Sequence, residues 1–406
     1  LRIPARPARL RPRRRRLLIV LKSSSRGQIS PFIVMDVMRA ANARDLAARN
    51  AGERSVHLEV GQPGTPAPRA VREAARRALD DDRLGYTEAL GIPPLRQRIA
   101  RHYRDAYGVE VAPERIIITT GSSGAFLLSF LAAFDAGERV ALADPGYPAY
   151  RNILMALDLE PVGLPADREH KFQPTPELLA EGMKSGPLAG LIVASPANPT
   201  GSMLSRGDLQ ALAAWCGANG VRLISDEIYH GICFGERAAT ALEFTSDAIV
   251  VNSFSKYYSM TGWRLGWMVI PPDLARTVEV LAQNLFISPP TLPQLAALAA
   301  FEATEELDAN VARYRRNRDL LLARLPKAGF ERFASPDGAF YLYCDVANLT
   351  NDSEEFCRRM LAEAGVAATP GTDFDPQRGR AYMRFSFAGT EADMEEAARR
   401  LIAWKR

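Results

Sequence analysis

The 406-residue sequence predicts an α/β protein, with a mostly parallel sheet between helices in a large domain and a smaller α+β domain beside it. Three observations point there. From Val71 onward, stretches of helical periodicity alternate with short apolar runs, the pattern of a sheet whose strands are joined by crossing helices. After Pro289-Pro290 the sequence becomes helix-rich and charged, which marks a change of unit. Finally, 47% hydrophobic residues over this length can fill a sizeable core, or two packed together.

The elements follow in order. Helical periodicity covers 70–80 and 94–107, and an apolar run at 116–120 reads as a strand that leads into a helix at 123–134. Runs at 140–143 and 191–195 read as strands, 206–219 as a helix, and 221–226, 249–253 and 265–270 as strands, followed by a helix at 273–285. Beyond it lie a charged amphipathic stretch at 302–325, strands at 340–344 and 381–387, and helices near 352–364 and 391–403. The expected division is a leader at 1–26, an arm at 27–65 that crosses back to the small domain, a large domain at 66–290 and a small domain at 291–406. There is no internal repeat, and low complexity is confined to the leader.

Composition excludes several classes of function. No apolar run approaches the roughly 20 residues that cross a bilayer. The four cysteines, Cys216, Cys233, Cys344 and Cys357, are too scattered for a zinc site or a disulfide framework, so no metal is expected and a reducing cytoplasm suits them. The net charge of +4 comes from residues 1–26, which hold nine arginines, one lysine and no acid; the remainder carries 41 bases against 47 acids. Such a body gives no basic surface for nucleic acid or an anionic membrane. The leader matches a transit peptide in composition, but its apolar run at 17–21 is too short for a signal peptide, and the expectation is a disordered extension on a cytoplasmic protein.

The chemistry is concentrated in a few short segments at the ends of expected strands, where open α/β sheets place their ligands. Ser253-Phe254-Ser255-Lys256 is followed by Met260-Thr261-Gly262-Trp263-Arg264, which gathers an amine, two hydroxyls and a guanidinium. Most lysines after a strand are solvated, but one with a cation nearby and partial burial is easily deprotonated and can act as a nucleophile and proton carrier. Asp226-Glu227-Ile228-Tyr229 ends another strand, and Asn198-Pro199-Thr200-Gly201 a third. Gly121-Ser122-Ser123-Gly124 opens a helix, whose free amides and positive end suit an anion. Each of these taken singly is more often a turn or a cap; their joint occurrence is the signal.

The Ser-Phe-Ser-Lys and Met-Thr-Gly-Trp-Arg segments resemble the signature of class I/II aminotransferases of the fold-type I pyridoxal-phosphate family, over about 55–405. The resemblance implies a seven-stranded sheet, pyridoxal 5'-phosphate as cofactor, and amino-acid and 2-oxo-acid substrates. By the same resemblance Lys256 holds the aldehyde as an imine and moves the proton, Asp226 pairs with the ring nitrogen, and Tyr229 and Asn198 donate to the 3-hydroxyl. Ser122, Ser123, Ser253, Ser255 and Arg264 surround the phosphate, and Tyr147 stacks on the ring. Arg384 clamps the substrate carboxylate, helped by the Gly61 amide. Tyr86 reaches the neighbouring subunit's phosphate, which implies a homodimer with shared sites.

Substrate choice is not carried over. Ser123 stands where one aspartate-specific branch has a lysine for the distal carboxylate, and Phe286-Ile287-Ser288-Pro289-Pro290-Thr291 has no arginine of the kind other relatives use. Aromatic, branched and alanine-type donors stay open beside aspartate. Rival readings are a carbon-sulfur β-lyase of the same fold and a cofactor-sensing regulator, the latter short of a DNA-binding domain.

Overall fold

The computed structural model describes residues 21–47, 54–81 and 83–405; most of the expected leader lies outside the described residues. In chain order the first elements are helix α1 (Ile33–Ala47), strand β1 (Val56–His57), helices α2 (Arg69–Asp81) and α3 (Pro93–Tyr107), strand β2 (Ile116–Thr119) and helix α4 (Gly121–Ala133). Then come β3 (Arg139–Asp144), α5 (Pro148–Ala156), β4 (Glu160–Pro165), α6 (Pro176–Met183), β5 (Gly190–Ala194), α7 (Arg206–Asn219), β6 (Arg222–Asp226), β7 (Ile249–Ser253), β8 (Gly266–Val269) and α8 (Ala275–Leu285). The last third holds α9 (Thr291–Ala297), α10 (Thr304–Arg324), β9 (Arg332–Phe333), β10 (Tyr341–Asp345), α11 (Ser353–Arg359), β11 (Val366–Ala367), β12 (Thr369–Pro370), β13 (Tyr382–Ser386) and α12 (Glu391–Ala403).

Seven strands form the main sheet in the order β2-β8-β7-β6-β5-β3-β4, with β8 antiparallel to both neighbours and the other pairings parallel. The expected architecture is therefore observed. Strand alternation explains why it is buried on both faces. Ile116, Ile118, Leu191, Val193, Leu223, Val250, Trp267 and Val269 enter one core, while Ile117, Ile192, Ile224, Ile249, Val251 and Met268 enter the other. A sheet with two apolar faces needs helices on each side, which is how parallel sheets are protected from water.

A second sheet, β12-β13-β10-β9, packs its own core of Phe330, Phe340, Leu342, Phe385 and Met394. The segment before α2 joins it: β1 runs parallel to β11, and Ser386 N donates to Leu58 O at 2.6 Å.

Nine of these elements were not read from the sequence: α1, α5, α6, α9, β1, β4, β9, β11 and β12. β4 lies at the sheet edge and carries Pro161 and Pro165, which mask strand character. α5 opens on Pro148, inside what reads as a turn, although proline suits a first helical position. α1 buries Val34 and Ala41 among its fifteen residues, too thin an apolar stripe to announce a helix.

Candidate functional site

The carboxyl ends of the parallel strands meet at one pocket, lined by residues running from Phe32 to Arg384. Asp226 is the last residue of β6, Gly121 follows β2 closely, Tyr147 follows β3, and Asn198 follows β5. Arg264 precedes the antiparallel β8, so it arrives at the same edge.

At one end of the pocket an anion site is ready-made. α4 begins at Gly121, where φ is +73°, and Thr120 makes no side-chain cap, so the first-turn amides point outward beside Ser122 and Ser123. The Arg264 guanidinium lies so near that a Cβ on Gly121 would sit 2.5 Å from its Nη2. Ser255 and Thr261 complete this end. Helix-end amides, hydroxyls and a guanidinium together are a phosphate-binding set.

In the middle lies Lys256. Its Nζ donates to Gly61 O at 2.7 Å, and burial, the Arg384 charge and the Arg264 charge pull its pKa down to about 8, against the opposite pull of Asp226. An amine so placed exchanges its proton near neutral pH. Asp226 is buried beneath the pocket, where burial pushes its carboxyl up to about 6 despite hydrogen bonds from the Tyr150 hydroxyl and from Ile228 N (3.1 Å) and the nearby Lys256 charge. It suits a cationic partner, because a positive group there would relieve the cost of its burial.

A second guanidinium, that of Arg384, also lines the pocket. Arg384 is 2% exposed, with Nη1 on Asn198 Oδ1 at 2.7 Å and Nη2 on Glu59 O and Thr369 Oγ1. Its Nε is buried with no hydrogen-bond partner among the described residues. The guanidinium also stacks 4.4 Å from the Tyr341 ring centroid. Since Asn198 uses its oxygen on Arg384, its NH2 group remains to donate. Tyr229 pairs its hydroxyl with that of Tyr341 at 2.7 Å. Gly61 has a steric reason to be glycine, because a Cβ would fall 1.8 Å from the Tyr341 hydroxyl oxygen.

The pocket thus gathers eleven of the sequence-derived residues: Gly61, Ser122, Ser123, Tyr147, Asn198, Asp226, Tyr229, Ser255, Lys256, Arg264 and Arg384. Ser253 is not on its wall; it sits behind, its hydroxyl donating to Leu265 O, accepting from Ser255 N and lying 2.9 Å from Ser255 Oγ, and so shapes the turn before Lys256. Tyr86 is also off this wall, on the surface at 84% exposure. Sequence reasoning missed Tyr150, Tyr341 and the apolar Phe32, Val34 and Met35. Tyr150 lies three residues after Tyr147, beyond the motif that singled that residue out, and Tyr341 was read simply as strand. Among the described residues, no group of three or more His, Cys, Asp or Glu could hold a metal ion, and no helix is long and apolar enough to cross a membrane.

The sequence matches the family described as aminotransferase class I and II over residues 53–401. The chain belongs to that family. As an aminotransferase it is an enzyme that moves an amino group between an amino acid and a 2-oxo acid. It is 52% identical over 383 residues to the valine–pyruvate aminotransferase of Mycobacterium tuberculosis, covering 93% of this chain and 97% of that one. An aminotransferase crystal structure from the same organism superposes with a TM-score of 0.91 at 51% identity, covering 95% of this chain and 99% of that one. The aspartate aminotransferase of Thermus thermophilus with maleate gives 0.86 at 32% identity, over 95% of this chain and 100% of that one. These likenesses agree with the fold-type I architecture of this aminotransferase.

Proposed function

We propose that this aminotransferase holds pyridoxal 5'-phosphate in the pocket and transfers amino groups between small or branched apolar amino acids and 2-oxo acids, in two half-reactions. The observation that carries the reading is the convergence of Lys256, Asp226, Asn198 and Arg384 on one cavity with a phosphate-type anion site at its end. The donor set fits the cofactor: α4 amides with Ser122, Ser123, Ser255 and Arg264 for the phosphate, Asp226 for the ring nitrogen, Asn198 and Tyr229 for the ring oxygen, and Tyr147 for the ring face. When bound, the cofactor supplies an aldehyde that captures amines and a ring that takes up electrons from the α-carbon.

The protein's part is binding and proton handling. Arg384 and Gly61 orient the substrate carboxylate, which fixes the α-proton toward Lys256. Lys256, with its lowered pKa, accepts that proton as the free amine and returns it to the neighbouring carbon. Asp226 stays anionic beneath a cationic ring nitrogen, and the buried tyrosines around it exclude water.

Two features support apolar side chains. The cations among the lining residues are Lys256, Arg264 and Arg384, each with a role already, and Phe32, Val34, Met35 and Val60 add apolar surface. The 52% identical relative is named for valine and pyruvate. We further propose a homodimer in which Tyr86 enters the partner's site, which its exposure supports, and a cytoplasmic location, which four free cysteines support. The large unit spans 66–290, and 27–65 joins 291–406 in the small one.

The test is to supply purified protein and cofactor with valine and pyruvate, then with aspartate, phenylalanine or cystathionine as donor, and to quantify alanine, the new oxo acid and ammonia. Alanine formation fastest from valine is expected. Ammonia and pyruvate from cystathionine without amino transfer would overturn the reading in favour of a lyase.

A further inference from the structure

Outside the pocket, a carboxylate–imidazole–carboxylate ladder joins α1 to the strand that supports Arg384. His57 sets Nδ1 2.8 Å from Glu59 Oε1 and Nε2 3.2 Å from Asp45 Oδ2. Ionised carboxylates only accept, so two such partners require an N–H on both ring nitrogens, which makes the ring an imidazolium. Glu59 is fully buried, and its Oε2 has no hydrogen-bond partner among the described residues. Without the His57 charge it would be an uncompensated buried anion.

The backbone of that glutamate belongs to the site. Glu59 O accepts from Arg384 Nη2 and from Thr369 Oγ1, and two residues on, Gly61 O accepts from Lys256. At the other end, Asp45 Oδ1 accepts from Ser55 N at 2.6 Å, which anchors the end of α1. The start of α1 is held by Asp373, whose two oxygens accept from Ile33 N (2.9 Å) and Val34 N (3.3 Å), and there Phe32, Val34 and Met35 line the pocket.

We propose that Asp45, His57 and Glu59 form a positioning unit that uses one trapped positive charge to hold the 59–61 segment, and through it Arg384, in the geometry that grips the substrate carboxylate. The proposal rests on the reading of Arg384 as the carboxylate clamp. His57 touches no reacting atom; it acts through Glu59.

The pH behaviour follows. The Glu59 hydrogen bond is the largest influence on His57 and raises its pKa to about 9, with the Glu59 and Asp45 charges adding to it against the effect of burial. The charged groups nearest this strand include Arg44 and Asp45 of α1 and Asp393, Glu396 and Arg400 of α12, with Asp393 paired to Arg54. Arg400 is engaged by Glu396 and by the carbonyls of Arg54 and Gly365, and Arg44 reaches Ser55 Oγ. Because the folded value is raised, the ladder is intact at neutral pH and opens as pH rises through about 9.

The experiment uses the cofactor-loaded enzyme with valine and pyruvate between pH 6.5 and 10, and compares wild type with His57→Gln, His57→Phe, Asp45→Asn and Arg384→Gln. At pH 7.5 both His57 variants should raise KM for the donor at least about fivefold, with kcat and cofactor absorbance within about twofold of wild type. Wild type should show a rise in KM near pH 9 that His57→Gln lacks and that Asp45→Asn moves to lower pH. If Arg384→Gln raises KM while His57→Gln matches wild type in KM and profile, the positioning unit is wrong and the clamp stands. If Arg384→Gln leaves KM unchanged, the clamp itself is wrong. Proportional loss of kcat, cofactor and KM in both His57 variants also overturns the proposal, because it indicates general scaffolding.

Discussion

Replacing Asp226 by Asn should make the cofactor-free protein more stable and the enzyme inactive. In the folded chain the carboxyl is raised from 3.8 to about 6, chiefly by burial. Two units at about 1.4 kcal/mol each place the cost of keeping it ionised at about 3 kcal/mol. A folded value above the unfolded one means that the stability is complete below pH 4 and declines as pH rises toward 6. The Tyr150 hydrogen bond to the charged form is already contained in that value. The gain of about 3 kcal/mol, set against an unfolding entropy of about 2 cal/mol/K per residue, is a rise of about 4 °C in melting temperature above pH 7. At pH 4.5 most of the gain should vanish. The assay is thermal melting of apoenzyme at both pH values, followed by cofactor titration and turnover. A variant that melts at or below wild type at pH 8, or by the same margin at both pH values, refutes the argument that Asp226 is held as a strained anion awaiting a cation.

Lys256→Ala should abolish transamination, by about four orders of magnitude or more for a residue that is both attachment point and proton carrier, while phosphate contacts still retain cofactor after gel filtration. Gly121→Ala places a Cβ against the Arg264 guanidinium and puts a side chain at a φ of +73°, so cofactor affinity should fall at least about tenfold, read by fluorescence quenching. Glu227→Gln tests a second buried acid, which burial raises to about 8 despite donors from Ala241, Thr240 and Ser225. Wild-type stability should decline from pH 5 to 9 relative to that variant in urea titrations, and parallel curves would count against a raised carboxyl.

The main sheet was legible because both of its faces are apolar, so strands such as β5, β6 and β7 stand out as continuous runs between helical stretches. The residues that meet in the pocket from strand ends were legible because each motif combines types that packing alone does not demand, as in Ser255-Lys256 or the Asp226 of Asp226-Glu227. Supporting residues were not. Tyr150 and Tyr341 look like ordinary core aromatics until the fold brings their hydroxyls to Asp226 and Tyr229. Phe32, Val34 and Met35 reach the pocket only because Asp373, some 340 positions away, accepts from the first amides of α1. Two-residue strands such as β1, β11 and β12 have no periodicity to detect, and the ladder on His57 is assembled from three residues whose spacing carries no motif.

The pairing of β1 with β11 has a consequence for biosynthesis. A ribosome must release residues near 366 before the segment around position 57 has a partner, and Arg384 emerges later still. No nascent fragment that ends at the main sheet can therefore possess a finished catalytic cavity. Completion of the pocket must await synthesis past position 384, and a chain that stops before that point lacks Arg384 from the pocket wall.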